Sequence, residues 1–424
     1  MRVDLLNQIV LRWDSDSDCS GLLASGGIGA VWFPSREGRV AAACRAAGAD
    51  TIDADTIRLV GRDHAGPLPP GDFLAVKAGV WPGAKAGARD ADGSIASGAT
   101  QRAWIDANGY LVAWTKALFA GRAPLLAYLP DSDAGIGQGQ VIPYDSLELA
   151  LIDAWAAGGN YLLAPDAAYR NALLGGDPAA AAAWSQLGRT ARWLKEHQDL
   201  LRQPPLSTIT VLVERGDTSA EIAALMFRQS GSPDLVPAER VPLPDASRRP
   251  IVVAAGIHPP SPDLGKLLLA HANAGASLVV DCGDASSWWK GPGLKAVRQF
   301  QDRAFYTLGA GRILVYREPI ADPGDFALDV LDLASARRPV RLWDASAVIA
   351  MVSKGGARAG PILRLVNYGS PIRGDIMAQV RGVYNSADLL RPDLPPVRLR
   401  TWRRGENTDV AVPGFRRLAL VVFT

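Results

Sequence analysis

The chain of 424 residues carries 45 Lys+Arg against 43 Asp+Glu, a formal net charge of +2. It is too long for one compact core and suits two or three domains of roughly 100–200 residues each. With 48% apolar and 21% charged residues it is not a disordered chain, its balanced charge argues against a nucleic-acid partner, and no apolar run reaches the roughly 18 residues of a membrane span.

The N-terminal MRVDLLNQIVLRWDSD shows no apolar signal-peptide core, and Cys19, Cys44 and Cys282 form neither a CxxC pair nor a disulfide framework. The expected compartment is therefore the cytoplasm, although a mature form trimmed of a leader would read the same way.

Up to about residue 204, short apolar runs alternate with helical patterns. QIVLRW (8–13), GAVWF (29–33), DTIDA (50–54), TIRLV (56–60), FLAVKAGVWPG (73–83), PLLAYLPD (124–131) and NYLLAPD (160–166) read as strands. Helical stretches fall at 36–48, 101–120, 145–159 and 178–202. Continuous apolar strands separated by helices predict a parallel sheet covered on both sides. A small or incomplete (β/α) TIM-like barrel is the leading expectation and an open doubly wound sheet the second.

RQPPLS (202–207) reads as a stiff boundary. Beyond it, STITVLVERG, PIVVAAGIH, ASLVVDCG and RILVYREP alternate with helices at 217–231 and 261–275, a second, flavodoxin-like α/β unit ending near 335. The first of these helices is expected to be capped by Asp217 or Thr218 and closed by Gly231. From about 337, segments such as PILRLVNYG, IMAQVRGVY and RLALVVFT alternate apolar and polar residues, which predicts an antiparallel sandwich with one face buried. The expected domains are 1–204, 205–335 and 336–424.

This order of parts resembles the plan of family 42-like glycoside hydrolases: a (β/α) barrel of eight units, a glutamine-amidotransferase-like α/β domain used in trimerisation, and a small β-sandwich. The segment ITVLVERGDTSAEIAAL … NAGASLVVD looks like the amidotransferase-like module, and ILRLVNYGSP … RRLALVVF looks like the sandwich. The resemblance implies a carbohydrate ligand, a homo-oligomer (a trimer) and two catalytic glutamates, one after the fourth and one after the seventh barrel strand. It does not imply thiol catalysis here: Cys282 lacks flanking glycines of the Gly-x-Cys-x-Gly type, and no histidine follows it.

The glutamates are not recognisable. Glu37 starts a helix, Glu148 follows Asp145 as an N-cap-like pair, and Glu196 lies in the last turns of a helix. Aspartates fit better, because Asp14, Asp53, Asp131 and Asp166 each end a strand-like run, where barrel enzymes carry their acids. The candidate catalytic pair is Asp166 with Asp131, and the competing role for each is to cap the following helix.

Eight of the 12 tryptophans precede residue 200. Trp114, Trp155, Trp184 and Trp193 belong to helices and suit the core. Trp13, Trp81 and Trp104 fall at strand ends or loops, where an indole can stack on a pyranose while Asp14, Lys77, Asp106, Asn108 and Tyr169 take its hydroxyls. The alternating Asp14, Asp16 and Asp18 do not make an EF-hand, because Cys19 and Ser25 stand where Gly and Glu are needed. The four scattered histidines give no zinc motif, and SGGIGAVW precedes a strand instead of following one, so no metal and no cofactor is expected. IGQGQ (136–140) reads as a loop able to cover the barrel mouth. The expected function is glycoside hydrolysis at that mouth; the alternative is a catalytically inactive carbohydrate-binding or assembly protein of the same architecture.

Overall fold

The computed structural model describes residues 4–35, 38–61, 73–77, 85–86, 107–119, 121–127, 140–215, 217–239, 243, 250–320, 323–334, 337–345, 347–356 and 360–424. The first part runs β1 (Val10–Arg12), α1 (Ser20–Gly26), β2 (Ala30–Trp32), α2 (Arg39–Ala46), β3 (Asp50–Ile52), β4 (Ile57–Gly61), β5 (Phe73–Lys77), β6 (Lys85–Ala86), α3 (Gly109–Leu118), β7 (Leu125–Ala127), β8 (Gln140–Val141), α4 (Ser146–Ala156), β9 (Asn160–Leu163), α5 (Ala167–Leu174), α6 (Pro178–Glu196) and α7 (Gln198–Leu201). Seven strands form one sheet in the order β3-β2-β1-β9-β7-β5-β4, every pair parallel, while β6 and β8 make a separate antiparallel ribbon.

That order is the sequential order of a (β/α) barrel read around its circumference. It also brings the two ends of the sheet together, because β3 and β4 are joined only by residues 53–56, a single 3-10 turn at Ala54–Thr56. A parallel crossover needs roughly a dozen residues. Four cannot carry the chain far, so the two edge strands, β3 paired with β2 and β4 paired with β5, stay close to each other. The order is that of a barrel, but the barrel is not closed by hydrogen bonds: no ladder joins β3 to β4.

The helices follow from local chemistry. Asp177 caps α6 by accepting from the Ala180 N–H at 2.7 Å, Pro178 occupies the first turn, and Ala180, Trp184, Leu187, Ala191 and Leu194 bury one face at three- and four-residue spacing. Gly188 lets α6 touch α1: a Cβ there would lie 1.8 Å from the Ser25 carbonyl oxygen. Cys19, the N-cap of α1, and Cys44, on α2, are 25 residues apart in sequence yet meet with their Sγ atoms 3.5 Å apart.

The second part comprises β10 (Ile209–Val213), α8 (Asp217–Arg228), β11 (Asp234–Pro237), β12 (Ile251–Ala254), α9 (Pro262–Asn273), β13 (Ser277–Val280), β14 (Lys295–Gln299), β15 (Arg303–Leu308), β16 (Gly311–Tyr316) and α10 (Pro323–Leu333). Its strand order is β11-β10-β12-β13-β16-β15-β14. The first five strands are parallel in the flavodoxin order, and β14 and β15 extend the sheet as an antiparallel edge that the sequence reading missed. The residue that turns left-handed after α8 is Ser230 (φ 55), not Gly231 as expected.

The third part has β17 (Val340–Trp343), β18 (Val348–Ser353), β19 (Ile362–Asn367), β20 (Ile376–Arg381), β21 (Ala387–Arg391), β22 (Leu394–Leu399), β23 (Thr401–Arg404), β24 (Asn407–Val412) and β25 (Leu418–Phe423). Two antiparallel sheets, β17-β20-β24-β23 and β18-β19-β25-β21-β22, face each other through Ile376, Ala378, Val380, Leu363, Leu365, Ala419 and Val421. The expectation of one buried face holds for β20, which alternates, but fails for β18, β19 and β25, where every residue is buried. Their outward residues Ile349, Met351, Ile362, Val366, Leu418, Leu420 and Val422 belong to the hydrophobic cluster that also holds the cores of the first and second parts.

The element they cover is α4, all eleven residues of which are buried. Asp145 and Glu148 do not cap it, contrary to expectation: Asp145 makes no side-chain cap and pairs with Arg417, while Glu148, 2% exposed, pairs with Arg416 and accepts from the Thr190 hydroxyl at 2.6 Å. Farther along, Asp153 accepts from the Tyr368 hydroxyl at 2.6 Å and from the backbone N–H groups of Asn108 (2.6 Å) and Gly109 (3.1 Å). At the helix end, Arg364 donates to the carbonyls of Ala156 (2.6 Å) and Gln203 (2.7 Å).

Removing one partner of a buried pair costs more than removing both. Arg416→Met, which strands Glu148 in the interior, is expected to lower unfolding free energy by about 2 kcal/mol, discounted because Arg416 is itself partly exposed. Glu148→Gln should cost less, since Arg416 can turn to water, and the double variant should recover part of the Arg416→Met loss. Urea unfolding of the three variants decides; equal losses in the two single variants would contradict the assignment.

Candidate functional site

Chemistry in a parallel barrel belongs at the C-terminal ends of the strands. At the end of β1, Asp14 is gripped by Arg12, with Nη2 to Oδ2 at 2.8 Å and Nε to Oδ1 at 3.2 Å, and the Arg12 guanidinium lies 5.5 Å from the centre of the Trp32 ring on β2. At the end of β9 the chain leaves the sheet through Ala164 and Pro165 to Asp166. The β1–β9 register pairs Leu11 with Leu163, so Asp14 and Asp166 each stand three residues past a paired position on adjacent strand ends. Neighbouring strands are about 4.8 Å apart.

Asp166 also caps α5, its Oδ1 accepting from the Tyr169 N–H at 2.6 Å. Tyr169 stacks on Tyr144 with ring centres 4.4 Å apart and meets Trp184 edge-on at 6.3 Å. Tyr144, half-buried just ahead of α4, is a residue the sequence reading missed. Its hydroxyl is held above the usual phenol range by burial and then by the charges of Asp177 and Asp166. The signal was available in IPYDS, an aromatic in the turn between a strand and a helix start.

Several expected ligand contacts are corrected by burial. Trp13 is 1% exposed and donates its indole N–H to the Ser17 carbonyl at 2.9 Å, so the ring fills the interior instead of offering a stacking face. Asn108 (2%) sits at the start of α3 over Asp153, and Tyr169 (3%) is sealed between Tyr144 and Trp184. Trp114, Trp155 and Trp184 are core residues, as expected. Trp81, Trp104, Asp106 and Asp131 lie outside the described residues, as do 136–139 of the IGQGQ loop and Glu37; Lys77 ends β5, but its side chain is outside them too. Arg12 pairs with Asp14 beyond β1, Tyr144 feels the charge of Asp166 beyond β9, and among the described residues there is no cluster of three His, Cys, Asp or Glu side chains able to hold a metal.

Set beside solved structures, the chain has a glycoside-hydrolase-like fold of the GH42 type. An α-L-fucosidase isoenzyme 2 from Paenibacillus thiaminolyticus superposes with a TM-score of 0.51 at 10% identity, covering 91% of this chain and 70% of that one. Gan42B, a GH42 β-galactosidase from G. stearothermophilus, gives 0.52 at 10% identity over 83% of this chain and 60% of its own. A β-galactosidase from Bacillus circulans sp. alkalophilus gives 0.50 at 10% identity over 74% and 57%. The chain thus spans 57 to 70% of the length of these enzymes. No protein-family model and no curated protein matches the sequence.

Two outcomes follow from this geometry. Asp166→Asn retains a capping side chain and should change stability by less than about 0.5 kcal/mol, whereas Asp166→Ala should cost about 1 kcal/mol, measured by urea unfolding. Asp153, fully buried, is pushed up to about 6 by burial, against the hydrogen bonds from Tyr368, Asn108 and Gly109. A group raised on folding contributes most below its ordinary value near 4 and loses that contribution as pH rises through 6. The stability of the wild type relative to Asp153→Asn, which carries no charge at any pH, should therefore fall by about 2–3 kcal/mol between pH 4 and pH 7. A pH-independent difference between the two proteins would remove Asp153 from this role.

Proposed function

We propose that the protein acts on a carbohydrate at the C-terminal edge of its parallel sheet, as a glycoside hydrolase whose acids are aspartates. In this reading residues 1–204 form the catalytic unit, and 205–335 and 336–424 are the α/β and sandwich domains that follow it. The observation that carries it is the pair of carboxylates, Asp14 and Asp166, at matching positions on adjacent strand ends. Hydrolysis of a glycosidic bond needs two such groups, one to protonate the leaving oxygen and one to attack the sugar or activate water. Asp166 is the first candidate for one role, and Asp131, on the segment after β7, or Asp14 for the other. Tyr144 and the Arg12 guanidinium supply polar contacts for hydroxyls at the same rim. β-Galactosides and α-L-fucosides are the first substrates to try, because those are the activities named for the similar structures.

A second reading, a binding protein without turnover, is favoured by a specific observation: each described carboxylate already has a local partner, Arg12 for Asp14 and the Tyr169 N–H for Asp166. A panel of aryl-glycosides separates the two. Hydrolysis by the wild type that falls at least about 100-fold in Asp166→Asn, with stability unchanged, supports the catalytic reading. Saturable thermal stabilisation by a sugar without turnover supports the second. Neither turnover nor stabilisation with any sugar would overturn both.

A further inference from the structure

We infer that Cys19 and Cys44 form a covalent site, an intrachain disulfide made by exchange with a small-molecule disulfide. Read along the sequence, the three cysteines are isolated. In the fold, two of them face each other: both are 0% exposed, their Sγ atoms are 3.5 Å apart, and one thiol hydrogen-bonds the other. Cys19 is held there as the N-cap of α1, and Cys44 by its place beside Ala41 on the buried face of α2. A disulfide has its sulfurs about 2.0 Å apart, so the closing movement is about 1.5 Å, within reach of small side-chain rotations. Cys282, partly exposed at the end of β13, belongs to another sheet and has no thiol beside it among the described residues.

The chemistry balances with glutathione disulfide as oxidant. One cysteine thiolate attacks a glutathione sulfur and displaces one glutathione thiolate, giving a mixed disulfide. The second cysteine thiolate then attacks the protein sulfur of that mixed disulfide and displaces the other glutathione. Two thiols are oxidised to one cystine, and one glutathione disulfide is reduced to two glutathiones. Burial holds both thiols above their ordinary range, Cys19 far above it, and the Asp18 carboxylate next to Cys19 pushes the same way. Exchange in the closed, folded chain is therefore slow, and the bond forms during folding or when the segment between β1 and α1 opens.

The cross-link would close the loop that contains α1 and β2 and tie the β1–α1 segment, which carries Asp14, to α2. Closing a loop of this size restricts the unfolded chain and raises the melting temperature. The inference stands whether or not the protein handles carbohydrate.

The test uses the full chain, refolded with reduced glutathione alone or with an excess of glutathione disulfide, then unfolded, alkylated with iodoacetamide and weighed intact. Three alkyl groups are expected in the reduced sample; in the oxidised sample Cys282 carries either an alkyl group or a single glutathione and Cys19 and Cys44 carry neither, with the peptides bearing Cys19 and Cys44 recovered joined and the melting temperature raised by several degrees. Cys282→Ser should leave none to alkylate after oxidation. Three alkyl groups in the oxidised wild type, glutathione adducts without a cross-link, or a cross-link through Cys282 would each overturn the assignment.

Discussion

The architecture depends on the burial of one helix. α4 is buried on every side, and a helix of that kind is unstable unless something covers all of it. The parallel sheet with α3 and α6 covers part of its circumference. The outer face of the β18-β19-β25 sheet covers much of the rest, which is why those strands are apolar on both sides. The first and third parts of the chain thus share one core, to which the second part also contributes.

Apolar contact alone is non-directional and would let the sandwich slide along the helix. The polar groups fix its position at three heights. Acidic residues at the first turn meet Arg416 and Arg417, Asp153 in the middle meets Tyr368, and Arg364 caps the carbonyl end. The order suits the helix dipole, with anions at the N-terminus and a cation at the C-terminus. The dipole also explains how Arg364 exists without a carboxylate beside it among its hydrogen-bond partners. Burial and the nearby Arg202 bring its affinity for the proton down to about 9, yet it stays charged at neutral pH because carbonyl oxygens receive its N–H groups.

Much of the fold was legible. Every strand of the parallel sheet falls on an apolar run visible in the sequence, and Pro178 after Asp177 announces α6. DTIDA and TIRLV, two runs in the sequence, are two strands, β3 and β4, parted by the 3-10 turn at Ala54–Thr56. The edge hairpin β14–β15 escaped because every residue of β14 is exposed, so no burial pattern marks it. The site was less legible, for a definite reason. A tryptophan after a strand is equally compatible with a lid, a platform or a core plug, and only the loop geometry made Trp13 a plug. Likewise Asp145 and Glu148 carry the spacing of a capping pair, but their true partners lie about 270 residues away, in a part of the chain that periodicity cannot connect to them.

The same residues link the core to the mouth. In a β–α–β unit the helix begins at the C-terminal end of its strand, so the start of α4 lies on the rim where the site is built. Tyr144 and Asp145 are consecutive there: one stacks on Tyr169 beside Asp166, the other holds Arg417 of the sandwich. A shift of the sandwich must therefore pull on the residue adjoining the Tyr144–Tyr169 stack and, through it, on the loop that orients Asp166. The sandwich thus bears on the start of α4 through Arg417 and Asp145, one residue from the Tyr144–Tyr169 stack.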